Sequence, residues 1–211
     1  QKGRCLSCHT SISIRYPLVE LTTGILFIIF LSSSPTLYSS SSNLFFNLIF
    51  SWIFLSLLIC IAIIDLLVFW IPQGLINFGF LIGFTGLIFI GIFNNRLIEF
   101  NLLFRGVGAS LISFLLFESL RKFANYIYKR DALGKGDSKM VAMMALWLGP
   151  IGIILCVSIS YIFAALFCLV GLSLNLVKLK QFIPLAPFLA LGGLIVWLMG
   201  NEFFIYKILR L

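Results

Sequence analysis

The sequence predicts an all-α, polytopic membrane protein with about seven membrane segments, one of them short, and three observations carry that prediction. The 211 residues are 61% hydrophobic and only 10% charged, whereas soluble domains run near half apolar and a quarter charged. Mean hydropathy is +1.14. The apolar residues also fall in runs close to the roughly 20 residues that a helix needs to cross hydrocarbon, separated by short polar breaks. This composition excludes an ordinary soluble domain. The six prolines and 17 glycines follow no repeat, which excludes a collagenous or low-complexity chain.

The first run extends from about Leu18 to Leu37 and stops in the serine cluster of Ser39 to Ser42. The second, about Leu44 to Val68, ends before Ile71-Pro72, and the third, Gly74 to Phe93, is closed by Asn94-Asn95-Arg96. The fourth, about Ile98 to Leu120, gives way to a polar stretch from Arg121 to Lys139. Met140 to Leu148, before Gly149-Pro150, is too short to span alone at about 1.5 Å per residue unless the preceding residues are helical too. The last two runs are Ile151 to Val177 and about Ile183 to Met199, the latter with a tail to Leu211.

Fifteen Lys and Arg against seven Asp and Glu give a net charge of +8, which in a membrane protein reports orientation and predicts no nucleic-acid partner. If the first segment is cytoplasmic and every run crosses, only Arg96, Arg105, Lys207 and Arg210 fall outside. If the short segment near Met140 does not cross, Lys178 and Lys180 change sides and the bias weakens. Basic residues between Arg121 and Lys139 are expected to meet anionic lipid headgroups. Gln1 stands where a Met is expected, which predicts a chain that continues upstream.

Among the acids, Glu20, Glu99, Glu118, Asp131 and Glu202 lie near the ends of runs, where water and headgroups reach them. Asp65 is different, since it sits inside an unbroken apolar stretch from Cys60 to Ile71. A carboxylate at the centre of a membrane helix costs about 2.5 to 3.5 kcal/mol on insertion scales, so its presence points to function. The alternative is a protonated Asp that hydrogen-bonds a neighbouring helix. A second candidate is Asp137, in Gly134-Lys-Gly-Asp-Ser-Lys139, where Gly134 and Gly136 remove bulk beside the carboxylate. Asp137 also reads as an N-cap for a helix starting near Ser138. The orientation above puts both acids on one membrane face. Two carboxylates sharing a site do not both ionise, so one holds a proton while the other accepts one from water. That is the chemistry of aspartic peptide hydrolysis, and the pair titrates as a unit.

These residues resemble the type IV prepilin peptidases, also called prepilin leader peptidase/N-methyltransferases. The likeness rests on Gly3 to Gly24, on Asp65 followed by Ile71-Pro72, on Gly134-x-Gly-Asp-x-Lys139 and on Ile183 to Gly192. The chain departs from the family pattern at Gln73, where Asn is frequent, and at Leu66, Leu67 and Val68, where polar residues are frequent. The resemblance implies an aspartic endopeptidase in residues 18–211, in the bacterial inner membrane, that cuts the basic leader of type IV prepilins or type II secretion pseudopilins at the cytoplasmic face, after a Gly and just before the pilin's hydrophobic stem. It implies Asp65 and Asp137 as catalytic residues, with Gly134, Gly136, Lys139 and Pro72 shaping the site. Peptide hydrolysis itself needs no cofactor.

Residues 1–17 resemble the remnant of a cytoplasmic zinc-type loop that lacks the family's first helix and earlier Cys-x-x-Cys. Cys5 and Cys8 are then half of a zinc site, which needs four ligands. Zinc and S-adenosylmethionine are implied only if the front region is present, and N-methylation with them. Cys5-Leu-Ser-Cys8-His9 also matches a haem-attachment pattern, but its cytoplasmic placement speaks against that. Cys60, Cys156 and Cys168 read as small packing residues. Two alternatives stay open on sequence: a transporter using Asp65 as an ion or proton site, and a Gly-x-Gly-Asp intramembrane peptidase of the presenilin type.

Overall fold

A computed structural model describes residues 3, 7–8, 10–11, 13–33, 44–93, 96–129, 134–175 and 183–209. Its regular elements are helices, as the composition predicts: α1 (Arg15–Ser33), α2 (Leu44–Val68), α3 (Gln73–Phe93), α4 (Arg96–Tyr128), α5 (Lys135–Ser173) and α6 (Ala186–Leu209). Three stretches are long and apolar enough to cross a membrane, namely Leu48–Val68, Leu103–Ile127 and Lys135–Ser173. Gln73–Phe89 and Ala186–Gly200 form shorter apolar helices. Cys5, Ser39 to Ser42, Asp131, Lys178 and Lys180 lie outside the described residues.

The short run before Gly149-Pro150 and the run after it belong to one element, α5, which bends back on itself. Gly149 has φ 71° and ψ −178°, a region that is essentially restricted to glycine. A Cβ placed on Gly193 of α6 would lie 2.4 Å from Met144 Cε and 3.8 Å from Cys156 Sγ. A straight helix would hold residues 144 and 156 about 18 Å apart. Asp137 and Tyr161 are also close enough for the carboxylate's charge to act on the phenol. The two arms of α5, residues 135–148 and 150–173, therefore form a tight antiparallel pair.

The first arm is the centre of the molecule, with residues 140–148 all buried and none more than 4% exposed. It starts at Lys135, so residues before Met140 are helical after all and the arm is about 21 Å long. Its neighbours reach it through small residues, the usual device where lipid offers no hydrophobic drive for helix association. On α3, Gly79 faces Met143 and Gly83 faces Trp147. On α4, the buried stripe of Gly106, Ala109, Ser110, Ser113 and Phe117 lies at helical spacing, and Gly106 sits against the Leu146 carbonyl. The Trp147 indole stacks on Phe50 and Phe54 of α2 at 4.1 and 4.8 Å. Its Nε1–H donates to the Gly79 carbonyl at 3.0 Å.

The α4 helix runs to Tyr128, eight residues past the predicted end of its apolar run. No Gly or Pro interrupts it between Gly108 and Gly134. Glu118 accepts two bonds from the Arg121 guanidinium, one turn on, so this acid is paired within the helix.

Candidate active site

Asp65 owes its position to the register of α2. Phe54, Leu58 and Ile61 form the buried stripe of that helix, and Asp65 continues it at the same spacing, 6% exposed. One turn later the helix stops. Phe69 adopts a left-handed conformation, φ 53°, and its N–H closes the last turn on the Asp65 carbonyl at 2.9 Å. Pro72 follows and starts α3, its carbonyl accepting from the Leu75 N–H at 3.2 Å. The interval between Asp65 and Ile71-Pro72 is thus the length of one helix end and one turn.

Asp137 lies in the first turn of α5. The helix starts at Lys135, so Asp137 is its third residue and Gly134 is the cap, which corrects the expectation of Asp137 as N-cap. From that position its Oδ2 accepts the Gly134 N–H at 3.2 Å. A Cβ on Gly134 would lie 3.0 Å from the same oxygen, so glycine keeps the carboxylate free to turn back. Gly136 has a different neighbour: a Cβ there would meet Ile71 at 3.0 to 3.2 Å. The space at Gly136 is thus taken up by the Ile71 side chain.

These contacts join the sequence motifs pairwise. Ile71 packs on Gly136. The Lys139 ammonium donates to Gln73 Oε1, and Gln73 Nε2 donates onward to Asn77 at 2.8 Å. The Ala186 N–H, at the start of α6, donates to Asp65 Oδ2 at 3.3 Å. That last bond adds a partner from a helix N-terminus, whose dipole favours a negative charge.

Asp65 and Asp137 line one cavity of about 780 Å³, and they are near enough for the charge of Asp65 to act on Asp137. Gly134, Lys139, Gln73 and Arg121 share its wall. Pro72, half-buried, is not part of the lining, although its neighbours Ile71 and Gln73 are. The cavity lies where the C-terminal ends of α2 and α4 meet the N-terminal ends of α3, α5 and α6. Two carboxyl groups facing one space that water can enter form an acid–base pair able to activate water toward a carbonyl. Sequence reasoning missed the Ala186 donor to Asp65 and the lining residues Arg121, Phe69 and Trp70. Only the run of apolar residues directly after a buried acid could have pointed to the last two.

The front of the chain gives no comparable assembly. Cys8 is exposed, with its sulfur 3.0 Å from Thr10 Oγ1, and Cys5 lies outside the described residues. Among the described residues no three His, Cys, Asp or Glu side chains cluster as metal ligands would. Two thiols alone do not fit a four-coordinate zinc site, so no chemistry is derived through zinc.

Comparison with known proteins agrees with the geometry. Residues 52–169 match the family model described as the type IV leader peptidase family, and residues 1–33 match the bacterial peptidase A24 N-terminal domain. A type 4 prepilin-like proteins leader peptide-processing enzyme from Escherichia coli is 33% identical over 156 residues, 72% of this chain and 51% of that protein. A prepilin leader peptidase/N-methyltransferase from Legionella pneumophila is 31% identical over 209 residues, covering 95% of this chain and 64% of the relative. One from Myxococcus xanthus is 31% identical over 164 residues, 75% and 44% of the two chains. The chain therefore spans about half to two thirds of the length of these relatives. No solved structure matches it. With a family model matched over more than half of its length, and with that family's motifs meeting around one cavity, the chain belongs to the type IV leader peptidase family.

Proposed function

We propose that the chain is a membrane aspartic endopeptidase that removes the leader of type IV prepilins or pseudopilins at the cytoplasmic face of the bacterial inner membrane. The observation that carries this reading is the single cavity lined by both Asp65 and Asp137. Family membership and the names of the relatives support the substrate class. Residues 18–211 are the peptidase domain, and residues 1–17 belong to a cytoplasmic loop. Seven membrane segments result when the arms of α5 are counted separately. The second arm, residues 150–173, runs back toward the cavity end, where Arg121, Lys135 and Lys139 also lie. That supports the orientation in which the basic side is cytoplasmic.

The reaction uses one proton shared between two carboxyl groups. The ionised member takes a proton from water as its oxygen attacks the scissile carbonyl carbon, and the protonated member donates to the carbonyl oxygen. The tetrahedral intermediate collapses when a carboxyl protonates the amide nitrogen and the C–N bond breaks. The leader leaves with a new carboxyl end, the mature protein keeps the new amine, and the pair again holds one proton. Gly134 and the N-terminus of α6 orient the two carboxyls. Lys139, held on Gln73, supplies positive charge at the wall. The methyl transfer in the relatives' names is assigned to no residue of this chain.

Asp65→Asn and Asp137→Asn should each lower leader cleavage by about 10²- to 10⁴-fold, the usual contribution of a positioned acid or base. Both variants should remain inserted in the membrane. Substantial residual cleavage in either would overturn the assignment, and substrate-dependent proton flux in liposomes without cleavage would favour the transporter.

A further inference from the structure

Five residues directly after Asp65 are apolar and exposed. Leu66, Leu67 and Val68 are 54 to 64% exposed on the last turn of α2, and Phe69 and Trp70 are 60 and 62% exposed. The first three lie on the helix surface, while Phe69 and Trp70 line the cavity that holds both carboxyls. An exposed apolar segment therefore continues from the last turn of α2 into the cavity lining, adjoining Asp65 in sequence. Ile183 and Leu185 line the same cavity, together with Lys135, Lys139 and Gln73. The lining thus carries apolar and charged side chains as well as the two acids.

Phe69 adds a second observation. It is a bulky residue at φ 53°, a conformation that non-glycine side chains rarely adopt and that tends to persist at functional sites. A glycine there would make the same turn without strain, but it would leave the cavity without a ring.

We infer that Phe69 and Trp70 form the specificity wall that receives the apolar residues on the C-terminal side of the cut bond, with Leu66 to Val68 leading that stem in from the bilayer. This rests on the peptidase reading. A substrate stem that resides in lipid can follow this segment without burying a polar group. A role confined to anchoring in lipid would not place either ring in the lining that also holds Asp65 and Asp137.

The test uses the full chain in phosphatidylethanolamine–phosphatidylglycerol vesicles with two synthetic peptides. One has a lysine-rich leader, a glycine at the cut and an apolar stem. In the other, serines replace the leading stem residues. Phe69→Gly keeps the turn and removes the ring, and Trp70→Ala removes the other. Each should raise KM for the apolar peptide about tenfold or more, on the scale by which pocket contacts discriminate substrates, with kcat retained. The serine peptide, already poor, should be cleaved equally by the variants and the unaltered chain. Equal losses on both peptides would overturn the proposal, as would a fall in kcat with KM unchanged. Reduced vesicle partitioning with unchanged kinetics in detergent would also overturn it and make the turn a lipid anchor. If the unaltered chain cleaves neither peptide, the peptidase reading itself fails, a result distinct from all of these.

Discussion

The two arms of α5 are similarly apolar and yet live in different surroundings. Residues 140–148 of the first arm are buried on every side. The second arm exposes Ile154, Ile162, Leu166, Leu169 and Val170 by more than half of their surface and buries Gly152, Ile153, Cys156, Ser160 and Gly171. In water, apolarity sorts the inside of a protein from its outside. In a membrane it does not, because lipid is as apolar as leucine. What separates the arms is the size of the residues that face them. Gly79, Gly83, Gly106 and Gly193 admit the first arm among four helices, whereas the second meets α6 closely along one line, where Gly192 lies against Ser160 and the Cys156 carbonyl.

The strongest way to break this contrast is at the turn between the arms. Nothing lies within 4 Å of a Cβ added to Gly149, so Gly149→Ala is a purely conformational perturbation. It should cost about 1–3 kcal/mol, read as lower thermal stability in detergent, and should reduce cleavage because α6 reaches Asp65 only if the second arm returns. Unchanged stability would show that the hairpin does not depend on that backbone conformation. A smaller effect should come from the site end of the first arm. Gly136→Ala presses a methyl onto Ile71 and should lose about 1 kcal/mol. Shortening the neighbour in the double variant Gly136→Ala/Ile71→Val should recover part of the loss, and strict additivity would refute the contact. The smallest effect belongs to the exposed arm, where Leu166→Ala should stay within about 0.5 kcal/mol of the unaltered chain. A larger loss there would mean that a partner, and not lipid, covers this face.

Much of the bundle was legible because hydrocarbon thickness dictates run length. Asp65 was legible because a carboxylate is conspicuous in an apolar run, and Asp137 because glycines flank it. The direction of the second α5 arm was not, since Gly149-Pro150 announces a break but not the φ angle that reverses the chain. The extension of α4 was hidden by treating charged residues as a loop, although Glu118 and Arg121 pair one helical turn apart and leave the backbone helical. Gln73, noted only as a departure from the family pattern, is the acceptor for Lys139. The Ala186 donor had no sequence signal at all, because a backbone N–H is the same in every residue but proline.

The bond from Ala186 to Asp65 joins positions 121 residues apart, and this has a consequence in time. The ribosome releases both acids into the membrane well before it makes α6. A nascent chain stopped short of residue 186 carries the reactive groups but not the donor that orients the first of them. On the proposed peptidase reading, Asp65 is therefore fully oriented only once α6 has been made.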